Sequence, residues 1–126
     1  MTRLIFIFGA ASGLVSVVLG AFAAHGLRGT IDERLEHAFE TGVHYQMMHS
    51  IVLIVVGLMI EHWGKHWALV WSSWSFALGI VMFSGSLYLL ALTSMKWPGP
   101  VTPLGGLAFI VGWGLLTVAI WQNTAP

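Results

Sequence analysis

Polar positions cut this chain into blocks. Its charged residues leave four uninterrupted runs, at 4–27, 41–60, 66–95 and 97–126, and each can house the roughly 20 apolar residues that carry a helix across a hydrocarbon core about 30 Å thick. The pattern therefore predicts an all-α, four-span transmembrane bundle, with spans at about 4–25, 44–61, 67–93 and 103–122 of a single integral membrane domain covering 1–126. Ala21-Phe22-Ala23 has the small-x-small form of a signal-peptide cleavage site. The apolar stretch before it is too long for a typical signal core and three further spans follow, so it is expected to remain as span one. Span three is long enough to tilt or to project at its Trp-rich start. Between spans three and four, Lys96-Trp97-Pro98-Gly99-Pro100 breaks the helix, and Thr102-Pro103 reads as an N-cap followed by a first-turn proline.

One segment outside the runs carries a helical period. In Thr30 to Thr41, Thr30 can cap, Asp32 and Glu33 suit a first turn, and Ile31, Leu35, Ala38 and Phe39 form an apolar stripe. That is the pattern of a short amphipathic helix on the membrane surface between spans one and two. Glu61 and Lys65, four apart, are placed to pair at the opposite surface.

Composition agrees with a membrane protein: 57% of the 126 residues are hydrophobic, 8% are charged and the net charge is zero, whereas soluble domains are about a quarter charged. Five basic residues balanced by five acidic ones give no surplus to hold nucleic acid. No cysteine is present, so disulfides, thiolate metal sites and Cys nucleophiles are excluded. Basic residues divide evenly between the two faces, with Arg3, Lys65 and the N-terminal amine against Arg28, Arg34 and Lys96. Because the first helix often dominates orientation, both termini are expected in the cytoplasm. Trp63, Trp67, Trp71 and Trp97 read as interfacial aromatics.

In lipid, helices associate through small residues that let backbones approach. Gly9, Gly13, Ser16, Gly20 and Ala24 recur along one face of span one, and Ala108 with Gly112 does so in span four. A bundle this small is expected to form homo-oligomers or to join a membrane-protein partner. No Asp, Glu, Lys or Arg falls inside a span, which argues against a proton pump or voltage sensor. Four antiparallel spans bring the end of one, the start of two, the end of three and the start of four to the same membrane face. The segments GAFAAH, YQMMH, FSGSLY and TPLGG all fall there. His49 is expected about a turn inside its helix, and Ser84 about 12 Å below the end of span three.

Taken together, these segments resemble the GAFxAH, YQxxH, FSGSLY and TPxGG motifs of the small uncharacterised membrane proteins of the YgdD/YwdK and transmembrane protein 256 type. The resemblance spans nearly the whole chain. It implies a four-helix protein of the bacterial inner membrane, or of an organelle membrane in eukaryotic relatives, and brings no established activity. It also singles out His25, Tyr45, Gln46, His49, Ser84, Ser86 and Tyr88, the residues that the topology gathers as a candidate ligand site.

Those residues have a plain reading, hydrogen bonding between helices, and a sharper one. Two imidazoles on neighbouring helices, with Tyr45, Gln46 and Ser84 beside them, suit a quinone ring or a lipid headgroup; His25 facing His49 would suit bis-histidine haem. Separately, Glu33, His37, Glu40 and His44 fall at i, i+4, i+7 and i+11, with ligand types suited to zinc, and Met48 with His44 and His49 would suit copper(I). With one aspartate and no nucleophile elbow, an enzyme is not expected. The expected function is a non-enzymatic structural or assembly subunit with a polar site at one membrane face. The alternatives are a small channel or transporter, or a binder of lipid, quinone or haem; no cofactor is assigned.

Overall fold

The computed structural model describes residues 1–124. Helix α1 (Thr2–Phe22) runs on through one wide π turn, Ala23–Leu27. Helix α2 (Glu33–Trp63) follows, then α3 (Trp67–Gly79), a second π turn (Ile80–Ser84) that leads directly into α4 (Gly85–Thr93), and finally α5 (Val101–Thr124). Among the described residues, four helical stretches are long and apolar enough to cross a membrane: Thr2–Leu27, Glu33–Trp63, Trp67–Thr93 and Val101–Thr124. Helices are what such apolar runs must form, because hydrocarbon offers no partner to a backbone N–H or C=O.

The separate surface helix does not exist. Its residues are the opening turns of α2, a single helix of 31 residues and so about 46 Å long at 1.5 Å per residue. That exceeds the hydrocarbon thickness, and its charged first turns therefore extend past the core. The cap is Asp32, whose Oδ1 accepts from Arg34 N at 3.0 Å; Thr30 instead donates back to Leu27 O at 2.6 Å. The apolar stripe faces other helices. Phe39, 0% exposed, packs on Phe22 at 5.9 Å and Tyr88 at 4.9 Å between ring centroids, with Ile31 and Leu35 in the same cluster.

Two smaller expectations also change. Gly64, at φ 85°, ends α2 between Glu61 and Lys65, so the two are not neighbours on one helix and form no ion pair among the described residues. Helix α5 begins at Val101, which puts Thr102 inside the first turn, where its hydroxyl bonds to Ser86 and caps nothing. Pro103 keeps its first-turn place, where a missing N–H costs no hydrogen bond.

Helix α2 is the spine. Helix α1 packs along one side of it, α3 and α4 along another, and α5 pairs with α3 and the second π turn. What seats these helices is mostly an aromatic ring set over a glycine of the facing helix. Phe6 covers Gly57, Tyr88 covers Gly42, and α3 and α5 exchange the motif reciprocally, Phe109 over Gly79 and Phe76 over Gly112, while at Gly105 it is the backbone of Phe83 that comes close. In α1 only Gly9 is tight, with a Cβ there 3.1 Å from Ser50 O; at Gly13 and Gly20 a Cβ would make ordinary contacts of 3.8 and 3.4 Å.

Gly105 and Gly114 test this packing within one helix. A Cβ at Gly105 would lie 2.7 Å from Phe83 Cα, whereas one at Gly114 meets nothing within 4 Å. Gly105→Ala is expected to destabilise the folded protein by about 1–3 kcal/mol through overpacking. Gly114→Ala should be neutral or stabilising by up to about 1 kcal/mol. Unfolding in mixed detergent micelles, followed by circular dichroism, measures both.

Candidate functional site

Most of the residues singled out in the sequence separate into two groups on adjoining faces of α2. On the side facing α1 and α4, Gln46 is the hub. Its Nε2 donates to Ser12 O at 2.9 Å and to Ser12 Oγ at 3.3 Å, and its Oε1 accepts from the Tyr88 hydroxyl. Ser50 Oγ lies 2.8 Å from Ser12 Oγ and 2.6 Å from Gln46 O. One amide thus ties three helices. Below it, Ser84 donates to Gly42 O at 2.6 Å, and Ser86 joins its hydroxyl to Thr102 on α5. Ser12, Gln46, Ser50, Ser84 and Ser86 are all buried. Ser84 closes the second π turn, a local widening of a kind often found at functional positions.

On the side facing α5, the centre is His49, 2% exposed. Its Nδ1 lies 2.8 Å from Tyr45 O, and Trp113 Nε1 donates to its Nε2 at 3.1 Å. Indole nitrogen only donates, so Nε2 must carry the lone pair and the proton sits on Nδ1, directed at the Tyr45 carbonyl. The hydrogen bonds therefore select one neutral tautomer. The ring stacks on Phe109 at 3.8 Å and 12°, and Tyr45 lies nearly parallel to it, 10° off at 5.9 Å. These rings, with Phe83 and Trp113, line a cleft of about 520 Å³ between α2 and α5.

His25 belongs to neither group. It is exposed in the first π turn, and the antiparallel register explains why: Gly13 meets Ser50 and Gly20 meets Val43. His49 is thus level with about residue 14, and His25 lies about 16 Å further along the bundle at 1.5 Å per residue. The two imidazoles do not face each other, and the bis-histidine haem arrangement is lost. His49 is also deeper than expected, about 24 Å along α2, because that helix starts at Glu33.

Glu33, His37, Glu40 and His44 do not converge either. His37 Nε2 is 3.9 Å from Glu33 Oε1 and its Nδ1 is 3.8 Å from Glu40 Oε2, all on an exposed face. Four ligands strung over 11 residues of straight helix span about 16 Å, too far for one ion. No group of three His, Asp or Glu among the described residues is placed to hold a metal.

Residues absent from the sequence reading complete both groups. Ser12 sits in the small-residue stripe of α1, one residue before Gly13, and its spacing was the available signal. Trp113 lies in the middle of span four, away from the headgroup level where indole usually sits. That displacement marks it.

The comparisons with known proteins follow these elements. A family model described as protein of unknown function (DUF423) matches residues 19–106, from the last turns of α1 to the first of α5. The chain belongs to this family. Curated relatives of the chain are named UPF0382 membrane proteins. One from Staphylococcus haemolyticus is 41% identical over 120 residues, covering 95% of this chain and 97% of the relative. YwdK of Bacillus subtilis is 41% identical over 117 residues, with 93% and 95% covered. The inner membrane protein YgdD of Escherichia coli is 40% identical over 117 residues, with 93% and 88% covered. No solved structure matches. The DUF423 match encloses Gln46, His49, Ser84, Ser86 and Tyr88, and leaves Ser12 and Trp113 outside it.

The Gln46–Tyr88 bond carries a specific expectation. In a double-mutant cycle with Gln46→Leu and Tyr88→Phe, the coupling should be about 0.6–1.7 kcal/mol, the range of interhelical hydrogen bonds in membranes. Additive effects, measured by unfolding in micelles, would show that the amide does not join α2 to α4.

Proposed function

We propose that this DUF423 chain is a non-enzymatic structural or assembly subunit of the bacterial inner membrane, with both termini in the cytoplasm. One observation carries the reading: among the described residues, no buried side-chain nitrogen or oxygen lacks a hydrogen-bond partner. Catalysis or permeation draws on polar groups that are free to engage a substrate, an ion or water, and here those groups are spent on joining helices. The Ser12–Gln46–Tyr88 network closes on itself, which favours a structural role over a channel or transporter.

A subunit needs a surface for partners as well as a closed core. Helix α1 rests principally on α2 and turns Leu14, Val17 and Val18 outward, which leaves most of its circumference for lipid or another protein. The inner-membrane placement draws on the name of the Escherichia coli relative. The cytoplasmic placement of both ends rests on the even number of crossings and on the dominance of the first helix.

Native mass spectrometry of the full chain released from lipid nanodiscs tests the reading. The expected result is a defined homo-oligomer or a stoichiometric complex with another membrane protein. A monomer alone, with no copurifying chain, would overturn it. Reporter fusions at the two ends should both give cytoplasmic signals.

A further inference from the structure

The two sides of α2 are unequal. The hydrogen-bond network of Gln46 is closed, whereas the cleft over His49 is open, with Met48, Leu107 and Ile110 exposed at its rim. We propose that this cleft is a binding site for a neutral, ring-headed lipid bearing carbonyl acceptors, the chemical class of the membrane quinones. The proposal goes beyond the subunit role and does not rest on it.

Size and shape come first. About 520 Å³ lies within the range of small-molecule sites, about 300–1,000 Å³. The walls are aromatic. Tyr45, His49 and Phe109 hold their rings within 20° of one another, and Phe83 and Trp113 flank them. His49 and Phe109 are buried against each other, so the aromatic surfaces left to a flat, polarisable head are those of Tyr45, Phe83 and Trp113. An acyl chain would gain nothing here that an ordinary aliphatic helix surface does not offer.

Chemistry narrows the head further. No Lys, Arg, Asp or Glu lines the cleft, so a phosphate headgroup would meet no counter-charge there and would have to leave water unpaired. The polar groups at the mouth are the Tyr45 hydroxyl, on a residue 37% exposed, and the Trp113 N–H, on a residue 43% exposed. Among the described residues the Tyr45 hydroxyl makes no hydrogen bond within the chain, and the Trp113 N–H is held only by His49. With the Trp113 N–H engaged by His49, the Tyr45 hydroxyl is the free donor, and one donor with no charge calls for a ligand with a neutral acceptor oxygen. Gly106 keeps the mouth clear: a Cβ there would come no nearer than 3.8 Å to Phe83, so a larger side chain can grow into the cleft without displacing backbone.

The test uses the purified full chain in dodecylmaltoside micelles, with decylubiquinone titrated by calorimetry and phosphatidylglycerol as competitor. The expected result is saturable binding of one quinone per chain. It should be abolished by Gly106→Leu, weakened about five- to tenfold by Tyr45→Phe, as the loss of one hydrogen bond implies, and undisturbed by an excess of phosphatidylglycerol. Unsaturable partition identical in all variants would overturn the proposal. So would binding that Gly106→Leu leaves intact, or displacement of the quinone by phosphatidylglycerol at equal concentration, which would make the cleft an acyl-chain groove. Circular dichroism checks folding of Gly106→Leu; if that variant does not fold, Tyr45→Phe decides, and an affinity equal to that of the parent chain would overturn the proposal.

Discussion

Hydrocarbon gives a polar group nothing to bond to, and this constraint organises the whole molecule. It makes the backbone helical wherever the chain is apolar, and it acts on side chains as well. Ser12, Gln46, Ser50, Ser84 and Tyr88 lie within membrane-spanning helices and resolve their needs on one another or on helix carbonyls. The bundle is held in register by these bonds because water is not there to compete for them.

Packing follows from a second consequence of the same medium. Apolar burial gives little net drive between helices when lipid is as apolar as the core, so close contact must do more. The bundle achieves contact by seating rings in glycine notches. The reciprocal exchange between α3 and α5, Phe109 over Gly79 and Phe76 over Gly112, fixes the relative height of these helices, since a shift of one residue would set a ring against a side chain. The second π turn belongs to the same fit: Phe83 lies within it, and its backbone approaches Gly105 so closely that no Cβ could stand between them.

The unequal sides of α2 follow from what each neighbour offers. Helices α1 and α4 present hydroxyls and carbonyls, and that interface closes into a polar network. Helix α5 presents Phe109 and Trp113, which satisfy His49 and leave an aromatic cleft beside it. A single motif, Tyr45-Gln46-Met47-Met48-His49, therefore serves both interfaces. At about 100° per residue, Gln46 and His49 point about 60° apart on α2, so they sit on adjoining faces and engage different neighbours.

Spans, their number and the all-helical class were legible from the sequence because they depend on local quantities: the length of an uncharged run and the absence of charge within it. Of the residues the motifs marked as a candidate ligand site, Gln46, His49, Ser84, Ser86 and Tyr88 take side-chain hydrogen bonds within the bundle. Which partners they take was decided by tertiary structure. The antiparallel register of α1 on α2 separates His25 from His49, a long-range fact that no spacing encodes. Continuity of α2 turned an apparent surface helix into the base of a spine, because the buried face of Phe39 finds Phe22 and Tyr88 only after the helices assemble. The metal stripe failed for the opposite reason, since a straight helix holds its own ligands apart and no neighbouring helix bends them together. Local pattern determines what each segment is; which side chains meet depends on how rings and glycines let the helices slide into register.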